Sequence, residues 1–122
     1  MIIDHIGLTV SDFQKSKAFY TGALKPLGIT SVMEIESWAG FGKDGKPEFW
    51  FGTEEHPPQP IHVAFTANNR EEVRKFYKAA LTAGGRDNGP PGIRKDYHPN
   101  YYAAFVHDPD GHNIEAVCHK PE

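Results

Sequence analysis

Residues 4–28, DHIGLTVSDFQKSKAFYTGALKPLG, return as residues 61–85, IHVAFTANNREEVRKFYKAALTAGG, at an offset of 57 and without a gap. His5 falls on His62, Thr9 on Thr66, Phe19 on Phe76 and Tyr20 on Tyr77. Ala23 falls on Ala80, Leu24 on Leu81 and Gly28 on Gly85. Repeated apolar positions are what two copies of one supersecondary unit require. A repeated histidine is not required by packing. Two imidazoles related by a pseudo-twofold axis are a good start for a metal site.

Each copy reads as a strand, a helix and then further strands. Residues 2–10 alternate, with Ile6, Leu8 and Val10 on one face and Ile3, His5, Gly7 and Thr9 on the other. Ser11 is the expected helix cap, with Gln14 completing a capping box. A helix over 12–24 carries Phe13, Ser16, Tyr20, Ala23 and Leu24 on one stripe, bordered by Phe19, and Lys25-Pro26-Leu27-Gly28 ends it. In the second copy Ile61, Val63, Phe65 and Ala67 alternate with His62, Ala64 and Thr66. Asn68 is the expected cap, with Glu71 three residues on. Val73, Phe76, Tyr77, Ala80 and Leu81 have helical spacing, and Gly84-Gly85 stops the helix.

Strands without helical period are expected at about 29–35, 37–42 and 47–53, then at about 86–94, 101–107 and 112–119. Lys43-Asp44-Gly45-Lys46 and Asp108-Pro109-Asp110-Gly111 are their turns. The Pro-rich stretch 54–60 links the copies. The fold class is therefore α+β, two βαβββ modules in a single domain, the first at about 1–55 and the second at about 60–120.

Composition narrows the partners. A net charge of −3 without a basic stripe argues against nucleic acid. No apolar run is long enough to span a membrane, and the N-terminus carries no secretory leader. The lone Cys118 excludes an intrachain disulfide, and a reducing cytoplasm is the natural compartment. Cys118 itself belongs to the apolar strand series Ile114, Ala116, Cys118.

If helices cover the Ile6/Leu8/Val10 and Val63/Phe65/Ala67 faces, His5 and His62 point to the opposite, hollow side, beside the small residues Gly7, Thr9, Ala64 and Thr66. Glu115 has opposite parity to Ile114, Ala116 and Cys118, which places it in the same hollow. A carboxylate inside a strand needs a charged partner, either an arginine such as Arg94 or a divalent metal. A single strand histidine usually serves a structural hydrogen bond. Two symmetric histidines with one carboxylate favour a metal with open coordination positions. His56, His98, His107, His112 and His119 are better explained by exposure or hairpin packing.

Together these stretches resemble the vicinal oxygen chelate superfamily, the glyoxalase, bleomycin-resistance and dioxygenase group. The carrying residues are Asp4–Asp12, Phe19-Tyr20, Ile61–Phe65 and Asp108–Glu115. The resemblance implies paired βαβββ modules forming a cupped, open barrel-like sheet, with a divalent metal (zinc, nickel, manganese or iron) held by His5, His62 and Glu115. It implies a lyase or isomerase of glyoxalase type acting on a small oxygen-rich substrate. The alternatives are an extradiol-type dioxygenase and a non-catalytic small-molecule-binding protein of the antibiotic-resistance type. Glyoxalase-type members often carry a second carboxylate on the last strand of the first module. Here Phe49 or Trp50 takes that place, and Glu48 lies out of register.

Trp38, Trp50, Tyr101 and Tyr102 are candidates to line the cup, and Arg94, in the long loop 89–100, to hold a substrate anion. Bare strand edges point to a homodimer. The metal site then lies either within one chain or between two, with His5 from one subunit and His62 and Glu115 from the other.

Overall fold

A computed structural model describes residues 3–122. The expected strand 2–10 is observed as β1 (Ile6–Thr9), and Met1 and Ile2 lie outside the described residues. Then follow α1 (Phe13–Leu24), a 3-10 turn (Lys25–Leu27), β2 (Thr30–Ile35), β3 (Trp38–Lys43) and β4 (Lys46–Gly52). The second module contains β5 (His62–Thr66), α2 (Arg70–Thr82), β6 (Arg86–Asp87), β7 (Gly92–Ile93), β8 (Tyr102–His107) and β9 (Asn113–Cys118). The first sheet runs β1-β4-β3-β2 and the second β5-β9-β8-β6, with β7 also paired to β8. In each module the first strand lies parallel to the last, and the other pairings are antiparallel. The sheets do not close into a true barrel.

Both helix caps sit one residue later than expected. Asp12, not Ser11, accepts from the Lys15 N–H, and Asn69, not Asn68, accepts from the Glu72 N–H. The shift is identical in the two copies because each helix needs its cap at the same distance from the preceding strand. Ser11 is used elsewhere: its hydroxyl donates to Asp110 at 2.6 Å. Asn68 still contributes, its N–H donating to Glu72 at 2.9 Å. Pro26 is the second residue of the 3-10 turn, where its missing N–H is no loss, and Gly28 (φ 77°) ends it in the left-handed region.

The expected strand 86–94 is a second correction. It breaks into two short bridges, since Pro90 and Pro91 lack donors and Gly89 adopts φ 145°. The β3–β4 turn has Asp44 and Gly45 both at positive φ, as a two-residue hairpin requires.

The helices pack on each other, and α2 also packs on β8 and β9. Phe19, Tyr20, Ala23 and Leu24 of α1 and Val73, Phe76 and Ala80 of α2 are buried in one shared core with Phe41, Phe49, Phe51 and Ile114. Leu81, expected on the apolar stripe, stands at its border, 36% exposed. Tyr20 lies 4.9 Å from Phe49 and 4.8 Å from Phe51, and Phe49 meets Phe65 edge-on at 5.1 Å, joining the modules. Leu8 and Val10 are buried, as the alternation predicted, while Gly7 opposite them is exposed.

The turn after β8 fastens the second module to the first. Asp108 is buried, accepts from the Tyr20 hydroxyl at 2.5 Å, and also accepts from the backbone N–H groups of Asp110 and His112. His112, fully buried, accepts at Nδ1 from the Ile61 N–H (3.0 Å) and donates from Nε2 to the Thr9 carbonyl (2.8 Å). Burial, then the Asp108 carboxylate, holds the Tyr20 phenol well above its ordinary value of 10.0. The folded-state pKa exceeds the unfolded one, so this contribution to stability is complete below about pH 10 and is lost as pH rises through the folded value. Replacing Tyr20 by Phe should cost about 1.5–3 kcal/mol, the worth of a hydrogen bond to a charged group. Denaturant unfolding of Tyr20→Phe at neutral pH measures that loss. The same variant should lose less stability than the wild type between neutral and strongly alkaline pH.

Candidate metal centre

Glu115 is the centre of the second module's open face. It is 1% exposed although strongly polar. One carboxylate oxygen accepts from His62 Nε2 at 2.8 Å and the other from the Tyr101 hydroxyl. Both oxygens are thereby satisfied, which a buried carboxylate requires. Local sequence explains the placement. Parallel pairing sets Ala64 opposite Glu115, so His62 precedes it by one pleat on the same face. Antiparallel pairing sets Phe105 opposite Glu115 from the other side, and the Phe105 and His62 rings lie 6.3 Å apart. Among the described residues Glu115 makes no ion pair with Arg94.

Tyr101 approaches from the loop before β8. Its phenol is pushed up to about 12, first by burial and next by the Glu115 carboxylate, so it remains protonated and donating at neutral pH. Tyr97 and His119 pack edge-on against its ring, at 5.0 and 5.1 Å.

The first module presents a different face. The internal repeat pairs Gly7 with Ala64, and Gly7 stands opposite Trp50 as Ala64 stands opposite Glu115. Register therefore settles the choice between Phe49 and Trp50: Trp50 occupies the place of a second carboxylate, while Phe49 is buried in the core. Trp50 and Trp38 lie on a floor of glycine. A Cβ at Gly52 would come within 2.2 Å of the Trp38 ring, and one at Gly40 within 2.9 Å of the Trp50 ring. Asp4, His5, Gly7, Trp38, Lys46 and Trp50 surround a hollow of about 520 Å³. His5 is exposed at its rim and Nδ1 lies 2.8 Å from Asp4. That contact, then Lys46, lowers the Asp4 carboxyl below its ordinary value.

Of the expected ligands, one chain thus brings His62 and Glu115 together and leaves His5 outside the pair. A separate groove of about 450 Å³ has both His5 and His62 on its walls, with Phe41, Phe49 and Phe65. Among the described residues no group of three His, Cys, Asp or Glu is placed to hold a metal. An imidazole nitrogen and a carboxylate oxygen at 2.8 Å are a donor pair suited to a divalent ion, so His62 and Glu115 are the two expected donors that one chain brings together.

The other expected contact residues divide between the two faces. Tyr101, Trp38 and Trp50 are on the open side. Arg94 lies over the Phe105 ring on that side, at 5.3 Å. Tyr102 does not face the cup. It pairs with Cys118 on the helix-covered face, where Arg70 lies 5.0 Å over its ring and Arg74 donates to its hydroxyl at 3.3 Å. Tyr101, just before β8, turns to Glu115, while Tyr102, the first residue of the strand, points to the opposite face. Phe105 was not anticipated, although its place opposite Glu115 follows from the Asp108–Gly111 turn. His112 is a packing residue, as expected.

Two βαβββ modules, with His62 opening β5 and His5 immediately before β1, define a glyoxalase-type cupped fold. The sequence profile described as the Glyoxalase/Bleomycin resistance protein/Dioxygenase superfamily matches residues 2–116, and the chain belongs to that superfamily. It is similar to YqjT of Bacillus subtilis (strain 168), with 28% identity over 128 aligned residues covering 93% of this chain and 96% of that protein. A glyoxalase/bleomycin resistance protein from Albidiferax ferrireducens T118 has a similar structure, with a TM-score of 0.88 and 27% identity over 97% of this chain and 99% of that one. A glyoxalase-like structure from Bacillus halodurans gives 0.71 and 25% over 96% and 95%. Superfamily members typically bind a divalent metal, bind small molecules and often act as dimers. Among the described residues no helix is long and apolar enough to cross a membrane.

Glu48 shares the face of Trp50 but is half exposed and 3.8 Å from Lys46. Glu48→Gln should therefore change metal affinity little. Calorimetric titration with a divalent ion checks this, and a loss as large as that of Glu115→Ala would make Glu48 a ligand.

Proposed function

We propose that the chain is a metal-dependent enzyme of the vicinal oxygen chelate type, a lyase or isomerase acting on a small oxygen-rich substrate. The observation that carries this reading is the buried Glu115 carboxylate, held between His62 and Tyr101 at the floor of an open face. A buried carboxylate oxygen beside an imidazole nitrogen offers the two kinds of donor that a divalent cation takes. The third ligand is His5 of a second copy. Three observations favour this shared site. His5 stands apart from the Glu115 pair within one chain. Among the described residues β1 and β5 are each paired on one side only, by β4 and β9. Met33 and Ile35, opposite Gly40 and Trp38 on β3, are 44% and 54% exposed, an apolar wall that a partner would cover.

In this reading His62 and Glu115 from one subunit and His5 from the other hold the ion. A bound divalent metal would act as a Lewis acid toward two neighbouring substrate oxygens. Tyr101 fixes the direction of the Glu115 carboxylate, and Trp38 and Trp50 close the apolar side of the cup against water. Trp50 at the position of a second carboxylate leaves three protein donors. That favours, as the second reading, a dioxygenase-type reaction over strict glyoxalase chemistry.

His5→Ala, His62→Ala and Glu115→Ala should each sharply lower metal occupancy in a folded protein. The heterodimer of His5→Ala with Glu115→Ala decides the arrangement. One intact site per heterodimer, measured by metal analysis after tagged purification, means that the ligands are shared. No bound metal in the heterodimer means that each chain builds its own site, and wild-type protein that takes up no divalent ion ends the reading.

A further inference from the structure

A guanidinium without an acidic partner lies on the same open face as Glu115. Arg94 follows β7, and its backbone N–H donates to the Tyr101 carbonyl at 2.7 Å. Its side chain turns back across the sheet, with Cζ 5.3 Å from the centre of the Phe105 ring. Phe105 is the cross-strand partner of Glu115 and neighbours the His62 ring. Nη2 donates to the Pro90 carbonyl at 2.7 Å, a neutral acceptor. Among the described residues no Asp or Glu pairs with this charge.

The loop is shaped around the group. A Cβ at Gly92 would stand 3.0 Å from Nη1, and a Cβ at Gly89 would stand 3.2 Å from Nη2 and 3.1 Å from Phe105. An arginine whose only task was solvation would need no such clearance. A guanidinium has five donors, so the single bond to Pro90 orients the fork and leaves donors for an oxyanion. The neighbouring Glu115 is satisfied by His62 and Tyr101, which leaves the cation to an incoming charge.

We propose that Arg94 is the anion-recognition group of the cup, and that the substrate is a small organic acid whose carboxylate rests on Arg94. Its oxygen-bearing end then reaches toward His62 and Glu115, an orientation that rests on the metal-site reading above. A carboxylate fits better than a phosphoryl group. It is planar like the fork and carries one charge, so it meets less repulsion from Glu115.

Benzoate binding to metal-free protein tests this separately from the metal. Calorimetry at low salt should show saturable benzoate binding, tighter than that of inorganic phosphate. Arg94→Met should weaken it by about tenfold or more, the usual effect of losing a charge-assisted hydrogen bond. Arg94→Lys should restore part of the loss, and a thermal melt of both variants should show a folded protein. Glu115→Gln should retain benzoate binding while losing metal. Unchanged benzoate affinity in Arg94→Met, tighter phosphate than benzoate, or no saturable benzoate binding overturns the proposal. Benzoate binding that depends on Arg94 in a protein that takes up no metal overturns only the metal reading.

Discussion

The buried Asp108 carboxylate accepts three hydrogen bonds at once, from the Tyr20 hydroxyl and from the backbone N–H groups of Asp110 and His112. The two backbone bonds shape the turn between β8 and β9. The bond from Tyr20 anchors that turn to α1 of the other module. His112 extends the anchor by reaching Thr9 on β1 and Ile61 before β5, and Ser11 binds Asp110 beside it. The start of β9 is thus fixed against both first strands. Glu115 lies three residues beyond His112, so its depth and register follow from this junction. An error of one residue there would send Glu115 to the helix side and Ile114 to the open face.

With that register set, the two modules are one plan with two different floors. The pairing that opposes Ala64 and Glu115 opposes Gly7 and Trp50. One face offers an imidazole, a carboxylate, a phenol and a guanidinium. The other offers two indoles lying on glycine, with His5 at the rim. In the proposed shared site the polar wall of one subunit would meet the aromatic wall of the other, an enclosure in which polar groups hold a substrate's oxygens and indoles exclude water.

Much of the fold was legible because it is written twice. The parity of Ile6, Leu8 and Val10, repeated in Val63, Phe65 and Ala67, correctly assigned the covered faces, and the opposite parity of Glu115 placed it beside His62. Local competition was harder to read. Ser11 and Asp12 are both good caps, as are Asn68 and Asn69, and the later of each pair caps its helix, three residues past the end of the preceding strand. The strand expected at 86–94 failed because Pro90, Pro91 and Gly89 break the ladder. Tyr102 was misplaced because two adjacent tyrosines look alike in composition and differ only in parity. His5 shows what a repeat cannot reveal. Symmetry marks it as the equivalent of His62, but symmetry alone does not say whether the two histidines meet in one chain.

The central claim is that two imidazoles and one carboxylate gather on one ion although a single chain pairs only His62 with Glu115. X-ray absorption of protein reconstituted with zinc tests it most directly. The account predicts a first shell of nitrogen and oxygen at about 2.0–2.2 Å, with outer-shell scattering from two imidazoles in the wild type and from one in His5→Ala. A spectrum with a single imidazole in the wild type, or one unchanged in His5→Ala, would contradict it.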